Sequence, residues 1–411
     1  MTRTAPEVKK HPQSRRRPGK SLPDRKRQRR AAAAERQRTR RQAKKKRLKI
    51  RKQELQRSVV YQLYRTITHF FPDMFEYIRE IEDYRGKSTY SLVEIIVACI
   101  AMFIFTAGSR NAFNNIREEG KFKKNYWKLF KLMPPHPDTV DDVMRVLPEE
   151  ELEKLKVKLI NSLMEKRSFH KYRFMDKYFV IAIDGTGVVS FKKQHCSRCL
   201  HSTSKGGKTT WFHNVLEAKL ITANGFALSI ATEWIENPED EAYEKQDCER
   251  KAFIRLAEKL KRNFPRLAIC VTADSLYPYQ GFFDICYDYG WKCIVTFKDG
   301  CLPTIQEEVS ELLSIISDNK RVEILFHGKT RIEGQYSWVT GLDYRGKILH
   351  WIECIETVYA ENKDPEVKKF VHLTNIEPSF RTAVSISNTG RLRWKIENEG
   401  FNIQKNRGVR K

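Results

Sequence analysis

The chain has 411 residues, 40% of them hydrophobic, so it can bury a sizeable core and form more than one domain. Its formal net charge of +26 indicates a polyanionic partner, most commonly nucleic acid, with a membrane surface as the alternative. The longest apolar run, residues 95–107, is too short to cross a bilayer and is typical of a buried helix. Nine cysteines without a disulfide-rich pattern predict free thiols or metal ligands in a reducing cytosol.

Most of the charge lies at the N-terminus. Residues 1–50 hold 21 lysines and arginines against three acids, a net charge of +18. A segment with so few apolar residues cannot bury surface, so residues 1–57 are predicted to be a disordered basic tail that contacts DNA phosphates. Ala31–Ala34 and the Arg, Lys and Gln residues after them would permit a helix once phosphates neutralise the charge. The alternative is a tail that only solubilises the protein.

Residues 58–175 show apolar positions at helical spacing, which predicts an all-helical N-terminal domain. Residues 109–116 and 135–155 read as helices with turn signals between them. Basic residues near these helices suit binding to a DNA end, but no recognition-helix motif is present, and simple packing is an equal alternative.

An apolar run without polar alternation, Phe179–Ile183, predicts a strand covered on both faces, and Asp184 follows it. A second such strand ends at Asp274. Two strand-like segments joined by the hairpin signal Asn224-Gly225, and a helix over residues 244–263, lie between them. An aspartate before glycine is also an ordinary turn signal, but two buried strands that both end in aspartate indicate one site. The acidic stretch KQDCE before the helix is interpreted as a capped helix start.

A third carboxylate follows a strand-rich region. Four strands with a turn at residues 343–346 are predicted between residues 321 and 375, and a helix is predicted over residues 387–408. Glu397 lies beside the apolar face of that helix, with Arg393 and Phe401 on its exposed side. The predicted start and end signals are Asn388 or Thr389, and Gly408.

These stretches together resemble a DDE transposase of a prokaryotic insertion sequence. The resemblance covers IAIDGTG, the run from HCSRCL to NVLEAKLI, KQDCERKAF, ADSLYPYQGFFDICYDYGWKCIVTFKDG and RWKIENEGFNIQKN. It implies an α/β, RNase H-like catalytic core interrupted by a mostly β insertion. The core would comprise residues 176–300 and a C-terminal helix within 376–411, with residues 301–375 as the insertion.

The resemblance also implies the chemistry. Asp184, Asp274 and Glu397 match the catalytic acids of the family, which hold two Mg²⁺ or Mn²⁺ ions and cut DNA at the element ends before joining it to target DNA. Hard oxygen ligands suit these ions. The expected partners are DNA and a second copy of the chain on the DNA ends, with no membrane and no nucleotide cofactor, and the expected location is the cytoplasm, associated with the nucleoid.

Three residues near the glutamate are assigned to DNA binding. Arg393 fits the arginine of the family four residues before the glutamate, and Lys405 lies one position after the lysine expected at 404. Trp394 suits stacking on an unpaired base, with core packing or plain exposure as the alternatives. Gly390 stands where the family has a tyrosine.

A separate pattern indicates zinc. Cys196-Ser-Arg-Cys199 is half of a structural zinc motif, and His201 and His213 could complete four ligands. The alternative is a pair of exposed thiols. For the whole chain, the alternatives to a transposase are a transposase-derived DNA-binding protein without catalysis and an RNase H-like nuclease that cuts without joining.

Overall fold

The computed structural model describes residues 22–105, 108–239, 245–361 and 363–407. The chain divides into two compact units, Met1–Leu63 and Tyr64–Lys411. The described part of the first unit is residues 22–63, all within helix α1 (Leu22–Phe70).

Helix α1 differs from the predicted disordered tail. Residues 31–47 are all exposed, so no core holds them. The four alanines and the long Arg, Lys and Gln side chains after them have high intrinsic helix propensity, which accounts for the helix. The predicted tail before residue 22 lies outside the described residues.

The second unit begins with helices, as predicted. They are α2 (Met74–Arg79), α3 (Leu92–Ile104), α4 (Arg110–Glu118), α5 (Gly120–Phe130), α6 (Pro137–Val146) and α7 (Glu149–Glu165). Helix α3 contains residues 95–104 of the apolar run and is buried at most positions from Leu92 to Met102, which confirms a buried helix there; residues 106 and 107 lie outside the described part of the chain. It begins with a capping box, in which the Ser91 hydroxyl accepts from the Glu94 backbone N–H and the Glu94 carboxylate accepts from the Ser91 backbone N–H.

The rest of the unit is built on one mixed sheet of ten strands. Its order is β2-β3-β1-β5-β6-β10-β9-β8-β7, with β4 also paired to β3. Strand β5 is parallel to both of its neighbours, β1 and β6. All the other neighbouring pairs are antiparallel. The strands are β1 (Phe179–Phe191), β2 (Leu200–Thr203), β3 (Thr209–Ile221), β4 (Ala227–Ile235), β5 (Ile269–Ala273), β6 (Lys292–Thr296), β7 (Lys320–His327), β8 (Thr330–Tyr344), β9 (Lys347–Tyr359) and β10 (Glu366–Thr374).

Helices cover both faces of the central strands. On one face lie α8 (Glu249–Asn263), α9 (Gln280–Asp288) and α10 (Pro303–Ile315), which pack with Ile181 and Ile183 of β1. On the other face α11 (Ala383–Arg391) and the helical segment after it pack with Val180 and Ala182. The unbroken apolar run of β1 is therefore explained, because alternate residues enter two separate cores.

The four strands predicted between residues 321 and 375 are confirmed as β7–β10. They extend the same sheet, because β10 pairs antiparallel with β6 over Thr374↔Ile294 to His372↔Thr296. The predicted hairpin at Asn224-Gly225 is also confirmed between β3 and β4, where Gly225 has a φ of 96°.

Candidate active site

The two aspartates lie at the point where β5 ends beside β1. These parallel strands pair up to Ala182↔Thr272, so Asp184 and Asp274 each lie two residues beyond the last pair. Neighbouring strands are about 4.8 Å apart, which brings the two residues side by side. Strand β1 does not end at Asp184 as predicted; it continues to Phe191 because β3 pairs with it from Ile181 onward, including Asp184↔Glu217, with a register shift between Gly187 and Val189.

Backbone N–H groups orient both carboxylates. The Gly185 N–H donates to Asp184 Oδ1 at 3.0 Å. The Leu276 N–H donates to Asp274 Oδ1 at 2.9 Å, in the turn that follows β5. Side chains of Asp commonly accept such local hydrogen bonds, which fix the direction of the other oxygen.

Glu397 reaches the same place from an irregular helical segment. After α11 the chain forms a 3₁₀ turn (Leu392–Trp394), a π-helix (Ile396–Phe401) and α12 (Asn402–Arg407). The prediction of a single helix beginning at residue 388 or 389 is therefore wrong in its start, which lies at Ala383. Ile396 and Phe401 are buried against the sheet, while the Glu397 side chain is 44% exposed.

The π-helix corrects the predicted surroundings of Glu397. Phe401 was expected on its exposed side, but its ring is buried and lies 5.1 Å from the Lys219 ammonium. A π-helical turn is wider than an α-helical one, so a residue four positions on no longer shares the same face. Gly400 permits this packing, since a Cβ there would lie 2.9 Å from Lys219 Cδ.

Arg393 lies between Asp184 and Glu397 and contacts both carboxylates. Its Nη1 donates to Asp184 Oδ2 at 3.3 Å and lies 3.7 Å from Glu397 Oε1. The residue was expected on an exposed face, but it is 7% exposed, and its Nε has no hydrogen-bond partner among the residues the structure describes. A buried guanidinium with a donor left over is suited to a further anionic group.

The position of Gly390 explains why no tyrosine occurs there. A Cβ on Gly390 would lie 2.6 Å from the Cδ2 and Nε2 atoms of His372 and 2.9 Å from Ile294 Cγ2. Both neighbours are buried, so the sheet leaves no room for a side chain at position 390.

A fourth acid lies at the site, and the sequence analysis missed it. Glu249, in the KQDCE stretch, is the first residue of α8, and a Cβ on Gly185 would lie 2.4 Å from its Oε1. Burial, and then the charge of Asp274, raise its pKa. The sequence does show an acid at the start of the helix that precedes the strand leading to Asp274. An acid in that position is also explained by its favourable interaction with the helix N-terminus alone.

The acids strongly affect one another. Burial raises the pKa of Asp184 to about 7; Arg393 opposes this rise, and Asp274, Glu397 and Glu249 add to it. Two ionised carboxylates about 4 Å apart repel by about 4 kcal/mol at an effective dielectric of 20. Four acids beside one arginine therefore attract a cation, and oxygen ligands of this kind suit Mg²⁺. No three carboxylates in the described ranges have ligand atoms within 4.8 Å of one another, and Arg393 is the cation that Asp184 and Glu397 share.

A different cluster could hold a metal ion at closer spacing. The Sγ atoms of Cys196 and Cys199 are 3.7 Å apart, and His213 Nε2 lies 3.4 Å and 3.3 Å from them. The strands place Cys199 next to Leu200, which pairs with Phe212, so Cys199 faces His213.

His201 does not belong to this cluster, which corrects the predicted ligand set. It pairs with Trp211, two residues along the strand from His213, and its ring lies 4.8 Å from the Trp211 ring. Among the described residues, the ligand atoms that lie within 4.8 Å of one another come from Cys196, Cys199 and His213, and no nitrogen of His201 joins them.

The remaining DNA-binding predictions concern the surface. The Trp394 side chain is 52% exposed and stacks under the guanidinium of Arg393, 4.5 Å from the ring centre. Packing in the core is thus excluded for this residue. Lys405 lies in α12, and its side chain falls outside the described part of the chain.

Searches against protein-family models and against curated proteins returned no match for this chain. Within the described ranges, no helix has the length and apolar character needed to cross a membrane.

Proposed function

We propose that the protein is a DDE transposase with an RNase H-like core, which cuts DNA at the ends of a mobile element and joins them to target DNA. The observation that carries the proposal is the single guanidinium of Arg393 between Asp184 and Glu397, beside the end of the strand that leads to Asp274. Asp184 and Glu397, from distant parts of the chain, thus share one cation, and the charge of Asp274 contributes to the raised pKa of Asp184.

Asp184, Asp274 and Glu397 would hold the divalent ions. When bound, two such ions supply activation of the attacking oxygen and stabilisation of the leaving oxygen at phosphorus. Burial favours the protonated form of Asp184 in the metal-free protein, with a pKa of about 7, and a bound cation would favour the ionised form. Arg393, whose Nε has no hydrogen-bond partner among the described residues, would donate to a DNA phosphate.

Charge and exposure support DNA as the substrate. The chain carries a net charge of +26, most of it in residues 1–50, and residues 31–47 of that segment are exposed and lie in a basic helix. Trp394 offers an exposed indole next to the acids. Two copies of the chain on the two element ends, in the cytoplasm of a prokaryote, complete the proposal.

The test is incubation of the full chain with a plasmid that carries the DNA flanking its own gene, in Mg²⁺ and in EDTA. Asp184→Asn, Asp274→Asn and Glu397→Gln should each abolish cleavage and leave DNA binding near normal. Asp288→Asn, which changes an exposed acid on α9, is the matched control and should cut like the wild type.

The products distinguish the alternatives. Metal-dependent breaks with 3′ hydroxyls at both flanks, followed by joined molecules, support the transposase. Breaks without joined molecules would indicate an RNase H-like nuclease. Tight binding without breaks in Mg²⁺ or Mn²⁺ would indicate a DNA-binding protein, and cleavage retained in any of the three variants would remove that residue from the site.

Zinc is the metal proposed for Cys196, Cys199 and His213. Two sulfurs bonded to zinc at about 2.3 Å in tetrahedral geometry lie about 3.7 Å apart, which matches the observed separation. Three ligands leave a fourth position for water or a further side chain. The ion would tie the turn before β2 to β3 and so support the long hairpin that continues from Asp184.

Metal analysis of protein purified without chelator tests the zinc site. We expect about one zinc per chain, lost in Cys199→Ser and retained in His201→Ala, the control for the ligand that the structure excludes. Zinc well below one per chain in the wild type would leave the cluster as a pair of thiols beside a histidine.

A further inference from the structure

Glu249 approaches the acids from the face of the sheet opposite to Glu397. Helix α8, which it begins, is fixed by Phe253, Leu256 and Leu260, all fully buried. Its carboxylate rests against the backbone of Gly185, where a Cβ would lie 2.4 Å from Oε1 and 2.7 Å from Cδ. The carboxylate therefore lies directly beside the residue that follows Asp184, and a side chain at position 185 would displace it.

The protein provides little to balance this charge. No lysine or arginine forms an ion pair with Glu249 in the described part of the chain, whereas Asp184 and Glu397 share Arg393. Cys248, the residue before the helix, makes no side-chain capping bond. A partly buried carboxylate beside other acids, without a cationic partner, is neutralised by a proton or by a positive ligand from outside the chain.

A buried hydroxyl is directed at the same carboxylate. Tyr277 follows Asp274 in the chain and is 1% exposed. Its Oη interacts with the Glu249 carboxylate and lowers the pKa of that group, and it makes no other hydrogen bond with a described residue. A hydroxyl that donates to one oxygen of Glu249 holds the carboxylate in place and leaves its other oxygen free for a cation.

We propose that Glu249 is a fourth carboxylate of the metal site, which binds the divalent cation held by Asp274, with Tyr277 keeping it in place. This inference rests on the proposed function and extends it by one ligand. Mg²⁺ and Mn²⁺ require about six oxygens each, so two ions are only partly supplied by three acids. A fourth acid reached from α8 adds protein oxygens on the side that Glu397 does not cover.

Mn²⁺ binding to the full chain, measured by isothermal titration calorimetry without DNA, tests the proposal without relying on activity. Glu249→Gln should weaken the binding of at least one ion by about tenfold, the size of effect expected when a supporting ligand is lost. Glu258→Gln, an exposed acid on the same helix, is the matched control and should bind like the wild type. Glu249→Asp keeps the charge but shortens the side chain by one methylene, so it should also weaken Mn²⁺ binding. This variant replaces Glu249→Gln in the test if Glu249→Gln does not fold.

Thermal unfolding separates a ligand from a structural residue. A ligand repels its neighbours when no metal is present, so Glu249→Gln should raise Tm in EDTA and show a smaller rise on adding Mn²⁺. A carboxylate that only stabilises the start of α8 would give a lower Tm in EDTA and unchanged Mn²⁺ affinity.

The outcomes distinguish the inference from the proposed function. If Glu249→Gln binds Mn²⁺ as tightly as Glu258→Gln does, Glu249 is not a ligand. The three-acid site still stands in that case, provided that Asp274→Asn loses the ion. No Mn²⁺ binding by the wild type, or full binding by Asp274→Asn, overturns both.

Discussion

Replacing Asp184 with asparagine should stabilise the metal-free protein while abolishing its activity. Burial raises the pKa of Asp184 from 3.8 to about 7, and the neighbouring acids add to this against the opposing charge of Arg393. Between pH 4 and pH 7 the folded protein holds a proton that the unfolded chain releases, so its stability falls as the pH rises through that window. At pH 8 the ionised carboxylate costs about 4 kcal/mol, which the uncharged amide removes.

Urea unfolding in EDTA at pH 4, 6 and 8 measures this gain. The free energy of unfolding of Asp184→Asn should exceed that of the wild type by about 4 kcal/mol at pH 8, about 3 at pH 6 and less than about 1 at pH 4. Comparing the two proteins at each pH cancels the other titrating groups. One of these is His372, whose pKa burial lowers to about 4 and which therefore destabilises the protein as the pH falls through the same window.

A gain of the same size at pH 4 and pH 8 would refute the electrostatic reasoning, as would a loss of stability at pH 8. Asp288→Asn, at an exposed position, should change stability by less than about 0.5 kcal/mol at each pH. Adding Mg²⁺ at 100 times its Kd should then stabilise the wild type by about 2.7 kcal/mol and leave Asp184→Asn unchanged.

Three further predictions concern the tail, the helix packing and the exposed indole. Deleting residues 1–50 should flatten the dependence of log Kd for DNA on log salt by about 0.9 for each lost phosphate contact, and an unchanged slope would show that the tail makes none. Gly390→Ala should lower the free energy of unfolding in urea by about 3 kcal/mol, because its methyl would lie 2.6 Å from the His372 ring; wild-type stability would mean that α11 can shift aside. Trp394→Ala should keep the stability within about 0.5 kcal/mol and weaken binding to single-stranded DNA by about 1 to 3 kcal/mol in fluorescence anisotropy, whereas equal affinity would assign the indole no base contact.

Several elements are predictable because their signals are local. Apolar runs bounded by turn residues predict β5 and the four strands β7–β10, and Asn224-Gly225 predicts the hairpin between β3 and β4. The apolar run in α3 predicts a buried helix. Each of these depends on the residues within one segment, so a single sequence is sufficient.

Other features depend on contacts between distant segments and were not predictable. Gly185 and Gly187 read as a turn after Asp184, but pairing with β3 keeps β1 extended to Phe191. The face of Phe401 changes because the helix widens around Glu397, and helical spacing assumes a regular α-helix.

Glu249 illustrates the same limit at the site. Its closeness to the acids requires α8 to pack so that the helix start meets Gly185, and no spacing within the KQDCE stretch encodes that approach. His201 and His213 are both predicted ligands because both lie close to the cysteines in the sequence. The strand register brings only His213 to the two cysteines among the described residues.

The order of the acids along the chain has a consequence for protein synthesis. A growing chain presents its basic N-terminal segment first, then Asp184 and Asp274, and much later Arg393 and Glu397. Until that last segment leaves the ribosome, the two aspartates lack both the third acid and the arginine that balances them. If the proposed function holds, a translation product that stops before residue 393 would carry the charge to bind DNA without the residues to cut it, and would compete with the full-length chain.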